Sequence, residues 1–163
     1  MAVKFKEQQQ FTQWWLWVLL IGIGLRIGYG VYQQLVLETN FGNNPMSNNG
    51  LVIFAVLYAL LLFFFYRLKL TVTISNTYLT IHFFPLIKRV ISISEIQEAK
   101  AKKYSFVGGW GIRYWTKYGT VYNVKGNKGV ALKLKNGDRY LIGSQRAKEL
   151  EYQLLQLGIP IAG

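Results

Sequence analysis

The sequence predicts an α+β membrane protein, in which an amino-terminal transmembrane helical hairpin precedes an antiparallel β domain of about seven strands capped by a carboxy-terminal helix. Three observations lead there. Two long apolar runs lie within the first 67 residues, separated by an Asn-rich loop. Beyond them the hydrophobic pattern changes to alternation with period two, and only the last segment returns to helical spacing. The charge divides at the same point: up to Tyr66 the charged residues are Lys4, Lys6, Glu7, Arg26 and Glu38, whereas the remainder carries 16 basic and 5 acidic residues. Charged residues make up only 16% of the 163-residue chain, below the roughly 25% usual in soluble domains. One portion is oily and the other strongly basic.

The first run, "WWLWVLLIGIGLRIGYGVYQQLVL" from Trp14 to Leu37, predicts a helix over about 13–37. At about 1.5 Å per residue it is long enough for a hydrocarbon core of about 30 Å. The second, "LVIFAVLYALLLFFFY" from Leu51 to Tyr66, predicts a helix over about 50–67, with Arg67 and Lys69 placed to snorkel. Between them "ETNFGNNPMSNNG" has no Lys or Arg, whereas Lys4, Lys6, Arg67 and Lys69 flank the outer sides of the pair. The positive-inside rule then puts both termini and the β domain in the cytoplasm and the chain in the inner membrane. Trp14, Trp15 and Trp17 fall where an aromatic belt belongs. A polar lead, "MAVKFKEQQQFTQ", and the second apolar run argue against a cleaved signal peptide. Residues 1–67 therefore read as a tail plus hairpin, and 68–163 as the cytoplasmic domain.

Arg26 sits mid-helix, where a charge costs at least about 2.5–3.5 kcal/mol on insertion scales. Gly24 and Gly28 form a GxxxG; with Gly22 and Gly30 they are read as a smooth packing stripe. Tyr29, Gly30 and Gln33 share or border the face of Arg26. Two readings stand: this face packs on a helix of a second copy or foreign subunit that satisfies Arg26, or Arg26 is satisfied within the hairpin by Tyr and backbone carbonyls, or snorkels.

In the second portion "LKLTVTIS" and "YLTIHFF" alternate across a Ser75-Asn76-Thr77 turn and make a hairpin. "IKRVISIS" follows Pro85, and the second half of "EIQEAKAKKYSF" is a fourth strand. "WGIRYW" and "TVYNV" form a fifth strand or its two arms, with Gly119 at the bend. "GVALKLK" and "RYLIGS" flank Asn136-Gly137-Asp138, a strong hairpin signal. Ser144 then caps a helix over about 145–157, with Ala147, Leu150, Leu154 and Leu157 on its buried face and Gly158 and Pro160 ending it. Such an order suits a bent sheet or open barrel plugged by the final helix.

On "LTVTISNTYLTIHFFPLIKRVISISEI", "GGWGIRYW" and "GTVYNVKGNKGVALKLKNGDRYLIGSQRAKEL", the chain resembles small bacterial pleckstrin-homology-like proteins, in which two transmembrane helices precede a cytoplasmic PH-like β domain. The resemblance implies a fold and a location. Phosphoinositide-binding members of the wider class use basic residues in a long loop between their first two strands; the Ser75-Asn76-Thr77 turn is short and uncharged, so recognition by that route is not expected.

Chemistry is largely excluded by composition. There is no Cys, one His (His82, on a predicted strand) and no local cluster of carboxylates, so no metal, cofactor or catalytic group is expected. "GGWGIRYWTKYGTVYNVKGNKGV" lacks the third glycine of a dinucleotide fingerprint, since Tyr114 stands there, and lacks the Gly-Lys-Ser/Thr of a P-loop. Its glycines read as turns and bends. What remains is an exterior made of Trp110, Arg113, Trp115 and Lys117, with Lys100, Lys102, Lys103, Lys133 and Lys135, whose i, i+2 spacing sends each set to one strand face. The interleaved rings and cations fit single-stranded nucleic acid in principle, but a membrane tether brings anionic lipid or a protein partner closer, and nucleic acid is not expected. The plain alternative is a solvated sheet face. The leading function is a non-enzymatic membrane-anchored interaction module that docks a protein partner or an anionic lipid surface. Second is an accessory subunit, or homo-oligomer, assembled through the helices; third, without a nucleophile–base pair to support it, is a small membrane enzyme.

Overall fold

The computed structural model describes residues 3–104 and 109–161. The chain forms two compact units: Thr12–Arg67, and a second made of Met1–Phe11 together with Leu68–Gly163. The first unit is a pair of packed helices, α1 (Trp14–Leu35) and α2 (Asn48–Arg67). Both are long and apolar enough to cross a membrane. Large side chains stand exposed around them, such as Val18, Leu19 and Leu25 on α1 and Ile53, Leu57 and Leu60 on α2. Tyr58 ties the pair by donating to the Leu20 carbonyl at 2.7 Å.

The second unit holds two sheets and a helix. The first sheet runs β1 (Val3–Gln10), β2 (Lys69–Ser75), β3 (Tyr78–Phe84), β4 (Ile87–Ser92), every neighbour antiparallel. A single turn of 3₁₀ helix, Ile93–Glu95, leads to β5 (Ile96–Lys103). β5 joins β6 (Gly111–Thr116), β7 (Gly119–Asn123), β8 (Lys128–Leu134) and β9 (Arg139–Gly143) in a second sheet of order β5-β8-β9-β7-β6. Alternation turns Leu70, Val72, Ile74, Leu79, Ile81 and Phe83 of the first sheet and Val130, Leu132 and Ile142 of the second inward, all at most 2% exposed. α3 (Ala147–Leu155) packs on β1, β5 and β8 through Ala147, Leu150 and Leu154, and so closes the unit across both sheets.

The expected polar tail is in fact a strand. Val3–Gln10 pairs with Lys69–Ser75 along the edge of the first sheet, so the helices are an insertion between two paired strands. Its inward residues are Phe5, Glu7 and Gln9. Only Phe5 is apolar, which is why alternation did not reveal the strand: the two polar side chains are buried because partners far along the chain receive them. Glu7 Oε2 accepts from Ser144 Oγ at 2.5 Å and Oε1 from the Gln145 N–H at 2.8 Å, while Gln9 Nε2 donates to the Gly143 carbonyl at 2.8 Å.

That contact also corrects the start of the last helix. Ser144 is not its cap; the N-cap is Arg146, whose N–H donates to Ser144 Oγ at 3.0 Å while the hydroxyl is turned onto Glu7. The strands number nine among the described residues, because β1 adds one and "WGIRYW" and "TVYNV" are separate arms. Not every pair is antiparallel, since β9 lies between β8 and β7 and runs parallel to β7. Residues 105 and 106 of the predicted fourth strand, and Gly108 of the glycine-rich stretch, lie outside the described residues.

Two outcomes follow from the strand assignment. A protein beginning at residue 68 lacks Phe5, whose burial alone is worth about 1.5–3 kcal/mol, and should be unfolded or aggregated, whereas one in which a short Asn-Gly turn replaces residues 12–67 should be soluble and cooperative in urea melts monitored by tryptophan fluorescence. In that soluble protein Glu7→Ala leaves the Ser144 hydroxyl and Gln145 N–H without their acceptor, and the urea midpoint should fall by an amount equivalent to about 2–3 kcal/mol; Glu7→Gln, which keeps one oxygen, should lose less.

Candidate functional site

The outer face of the second sheet is where the basic residues meet. Alternation puts Glu98, Lys100 and Lys102 on one side of β5, and the register sets Lys133 of β8 opposite Glu98 and Arg139 of β9 opposite Lys133. Lys133 Nζ is 3.9 Å from Glu98 Oε1, a half-exposed pair that is worth little in water. Between the cations the face is apolar: Tyr104, Val121 and Leu141 are buried there, with Tyr118 and Ala131 packed on them. Tyr118 comes from the β6–β7 turn and carries two ammonium groups, Lys102 at 5.0 Å and Lys117 at 5.1 Å from its ring centroid. The outcome is an open groove of about 440 Å³ lined by Lys100, Lys102, Lys117, Lys133 and Arg139, with Glu98 the one carboxylate in its walls. Five cations around one acid hold a positive potential over an apolar floor.

Beside the groove the β6–β7 hairpin presents bare rings. Thr116 pairs with Gly119, and Thr116 Oγ1 donates to the Gly119 carbonyl at 2.8 Å. Gly119 has φ +78°, and a Cβ there would stand 2.1 Å from the Arg139 carbonyl oxygen, so only glycine lets this turn rest on β9. The register slips between Arg113 and Thr116, and within the slip Trp115 adopts φ +54°. For a bulky residue that conformation costs roughly 1–2 kcal/mol. The strained Trp115 gains no burial in return, being 98% exposed, and Tyr114 beside it is about half exposed with the ring centroids 6.0 Å apart. A second cleft of about 380 Å³ separates this turn from Gly137 and Asp138.

Of the residues the sequence singles out, Lys100, Lys102, Lys117 and Lys133 converge on the groove, whereas Trp115, near the end of β6, lines the second cleft instead. Lys103 faces the other side of β5 and lines a separate depression with Lys128, Arg146 and Lys148. Lys135 follows the end of β8 and lines another, near Asn76, Thr77 and Gly158. The expected i, i+2 set of Lys133 and Lys135 is thus broken by the strand end. Trp110 precedes β6 and is exposed, while Arg113 is half-buried within it. Arg139 and Tyr118 were not selected as site residues; the signal for Arg139 was the Asn136-Gly137 turn, whose hairpin register sets it opposite Lys133.

In the helical unit the glycines do not form one stripe. Residues two apart on a helix point about 200° from each other, so Gly22 and Gly30 lie off the face that Gly24 and Gly28 share. A Cβ on Gly24 would meet Tyr58 at 3.3 Å and one on Gly30 would strike the Phe41 ring at 2.7 Å, whereas Gly22 and Gly28 have nothing within 4 Å. Arg26 lies over the face of Phe41, 4.2 Å from its centroid. Among the described residues, the group shown against it is thus an aromatic ring of the connecting loop. Tyr29 is exposed, and Gln33 is engaged at its carbonyl by the Thr39 N–H at 3.1 Å. Its neighbour Gln34 donates to the Met46 carbonyl and to Asn48 Oδ1, at 2.6 and 2.8 Å, pinning the loop.

Among the described residues no three His, Asp or Glu side chains gather to hold a metal ion. No protein-family model matches the chain, and no similar curated protein was found.

Two buried phenols, Tyr104 beneath the groove and Tyr122 on the inward face of β7, are held above the usual tyrosine range. Burial raises the pKa of Tyr104 against a weaker opposing bond from Asn123, and burial, with Tyr114 and Tyr140 adding to it and Arg89 opposing, raises that of Tyr122. Both favour the neutral form in the folded state, so their contribution to stability is intact below about pH 10, where unfolded tyrosines ionise, and is lost as pH rises through the higher folded values. Urea midpoints of the soluble β unit should therefore decline above about pH 10, less steeply in Tyr104→Phe.

Proposed function

We propose that this chain is a membrane-anchored, non-enzymatic interaction module. The two apolar helices hold it in a bilayer, and the groove on the second sheet docks an acidic segment of a protein partner. The observation that carries the reading is the convergence of Lys100, Lys102, Lys117, Lys133 and Arg139 around one carboxylate and over an apolar floor. A concave groove with rings below and cations above suits an extended peptide whose acidic side chains meet the lysines while an apolar one seats on Tyr118. A flat lipid surface could not follow it. Trp115, exposed in spite of its strained backbone, is suited to be an aromatic anchor for the same partner, since interface hot spots are rich in tryptophan.

Support for the cytoplasmic side of the inner membrane comes from charge alone: Lys4, Lys6, Arg67 and Lys69 lie outside the helical pair and no Lys or Arg lies between its helices. Support for a PH-like fold is architectural, namely two sheets closed by a carboxy-terminal helix. The contact of Arg26 with Phe41 weakens the accessory-subunit reading, because the helix charge is met within its own hairpin.

The test is capture of partners by full-length protein in mild detergent. With Lys100→Glu, Lys133→Glu and Arg139→Glu combined, binding should weaken by about tenfold or more, and salt of roughly 0.5 M should release the wild-type complex. Arg26→Leu should leave it intact. A complex indifferent to the three reversals but lost in Arg26→Leu would mean assembly through the helices, and the docking reading would fall.

A further inference from the structure

The first sheet has two unlike ends. Register places Gln10, Lys69 and Phe84 side by side at one of them, where the β3–β4 turn of Pro85 and Leu86 also lies. The turn is fastened by the Leu86 N–H donating to the Phe83 carbonyl at 2.8 Å. Its tip is apolar: Pro85 and Leu86 are exposed, Leu86 by 55%, and Phe84 and Ile87 are half-buried. A cation flanks it on either side, with Lys69 Nζ 5.5 Å from the Phe84 centroid and Lys88 exposed on β4. At the opposite end the β2–β3 turn is polar, Asn76 and Thr77, with Ser75 Oγ bonded to the Tyr78 backbone.

The outer face between these ends carries Lys4, Lys6, Lys69, His82 and Lys88 and, among the described residues, no carboxylate, because Glu7 is turned inward. A face of one sign repels its own copy, which argues against a homodimer formed through it. An apolar tip flanked by two lysines, Lys69 and Lys88, instead repeats the layering of a bilayer surface, acyl chains beneath anionic headgroups. Covalent geometry brings that surface within reach. This end of the sheet is the one joined to the helices, and Leu68 alone separates Arg67 from Lys69, a span of at most about 7 Å.

Resting on the reading that the helices span a bilayer, we propose that the Pro85–Leu86 end of the first sheet is a lipid-binding foot. Leu86 enters the headgroup layer, and Lys69 and Lys88 meet anionic lipid headgroups. The face so used is distinct from the groove of the second sheet.

The chain has no cysteine, so single labels are clean. Leu86→Cys, Asn76→Cys and Ile53→Cys would each carry an environment-sensitive fluorophore in full-length protein held in nanodiscs containing phosphatidylglycerol. Leu86 and Asn76 are exposed turn positions, and Ile53 is an exposed position on α2. The expected result is strong quenching at positions 86 and 53 by a nitroxide attached to lipid, and at position 76 by aqueous iodide only. Lipid quenching at 53 with aqueous quenching at 86 overturns the foot while the membrane reading stands. Aqueous quenching at all three overturns both. Lipid quenching at 76 equal to that at 86 also overturns it, since the proposal assigns lipid to one end of the sheet.

Discussion

The pairing of β1 with β2 is the constraint on which the rest of this structure depends. Two strands that lie side by side in one sheet are separated in sequence by the whole of Thr12–Arg67, so the chain must leave the β unit and return to the place it left. A helical pair solves this with little loss, because an up-and-back excursion brings its ends together and loop-closure entropy grows only slowly with length. The pairing then needs its own reason to persist. Phe5 supplies apolar burial, but the specific hold is Glu7, whose two oxygens take the Ser144 hydroxyl and the Gln145 N–H at the junction of β9 and α3. One side chain from the first strand thus orders the entry to the last helix, and that helix in turn covers β1, β5 and β8. Arg146, over the Phe5 ring at 5.0 Å and bonded to the Lys6 carbonyl and Glu149, reinforces the same corner.

With the corner held, the outer surfaces are free to specialise, and the two sheets do so differently. The second sheet cannot close its outer face with strands alone; a turn residue, Tyr118, folds down over Leu141 and Ala131 and makes a small second core in the process. That move depends on Gly119, which lets the β6–β7 turn approach the Arg139 backbone. The same placement gathers lysines of β5 and the turn around a ring, with Lys133 of β8 lining the same groove. The first sheet's outer face is mainly polar and cationic, with Tyr78 and Val90 exposed along it, and its apolar turn, Pro85 and Leu86, is at the end where the chain joins the helices. Packing needs and charge distribution are therefore coupled: the groove exists because a tyrosine was needed to cover the sheet, and it is basic because the strands that line it face outward.

Much of this was legible in the sequence because it is local. Apolar runs locate α1 and α2, alternation locates β2, β3, β8 and β9, and the spacing of Ala147, Leu150 and Leu154 locates α3. Other features were hidden because their cause is remote. Glu7 and Gln9 read as solvent-facing until Ser144, Gln145 and Gly143 are seen to receive them. The glycines of α1 looked like one surface because they are close in sequence, yet Gly24 and Gly30 meet different groups and Gly22 and Gly28 meet none. Lys133 and Lys135 looked like one face until the strand ended between them.

The sequence by itself determined the three helices and most of the strands, that two helices are apolar enough for a membrane, that no cysteine chemistry is available, and that the net charge lies almost wholly beyond residue 66. These are properties of composition and short-range period, fixed by how side chains recur along 3.6- and 2-residue repeats. Only the tertiary structure decided that the amino terminus is a strand of the β unit, that β9 lies parallel between β8 and β7, and that Arg139 completes a cluster with four lysines. Strand partnership and polar burial are set by free energies of contact between residues distant in the chain, and no local pattern records which distant residue will be there.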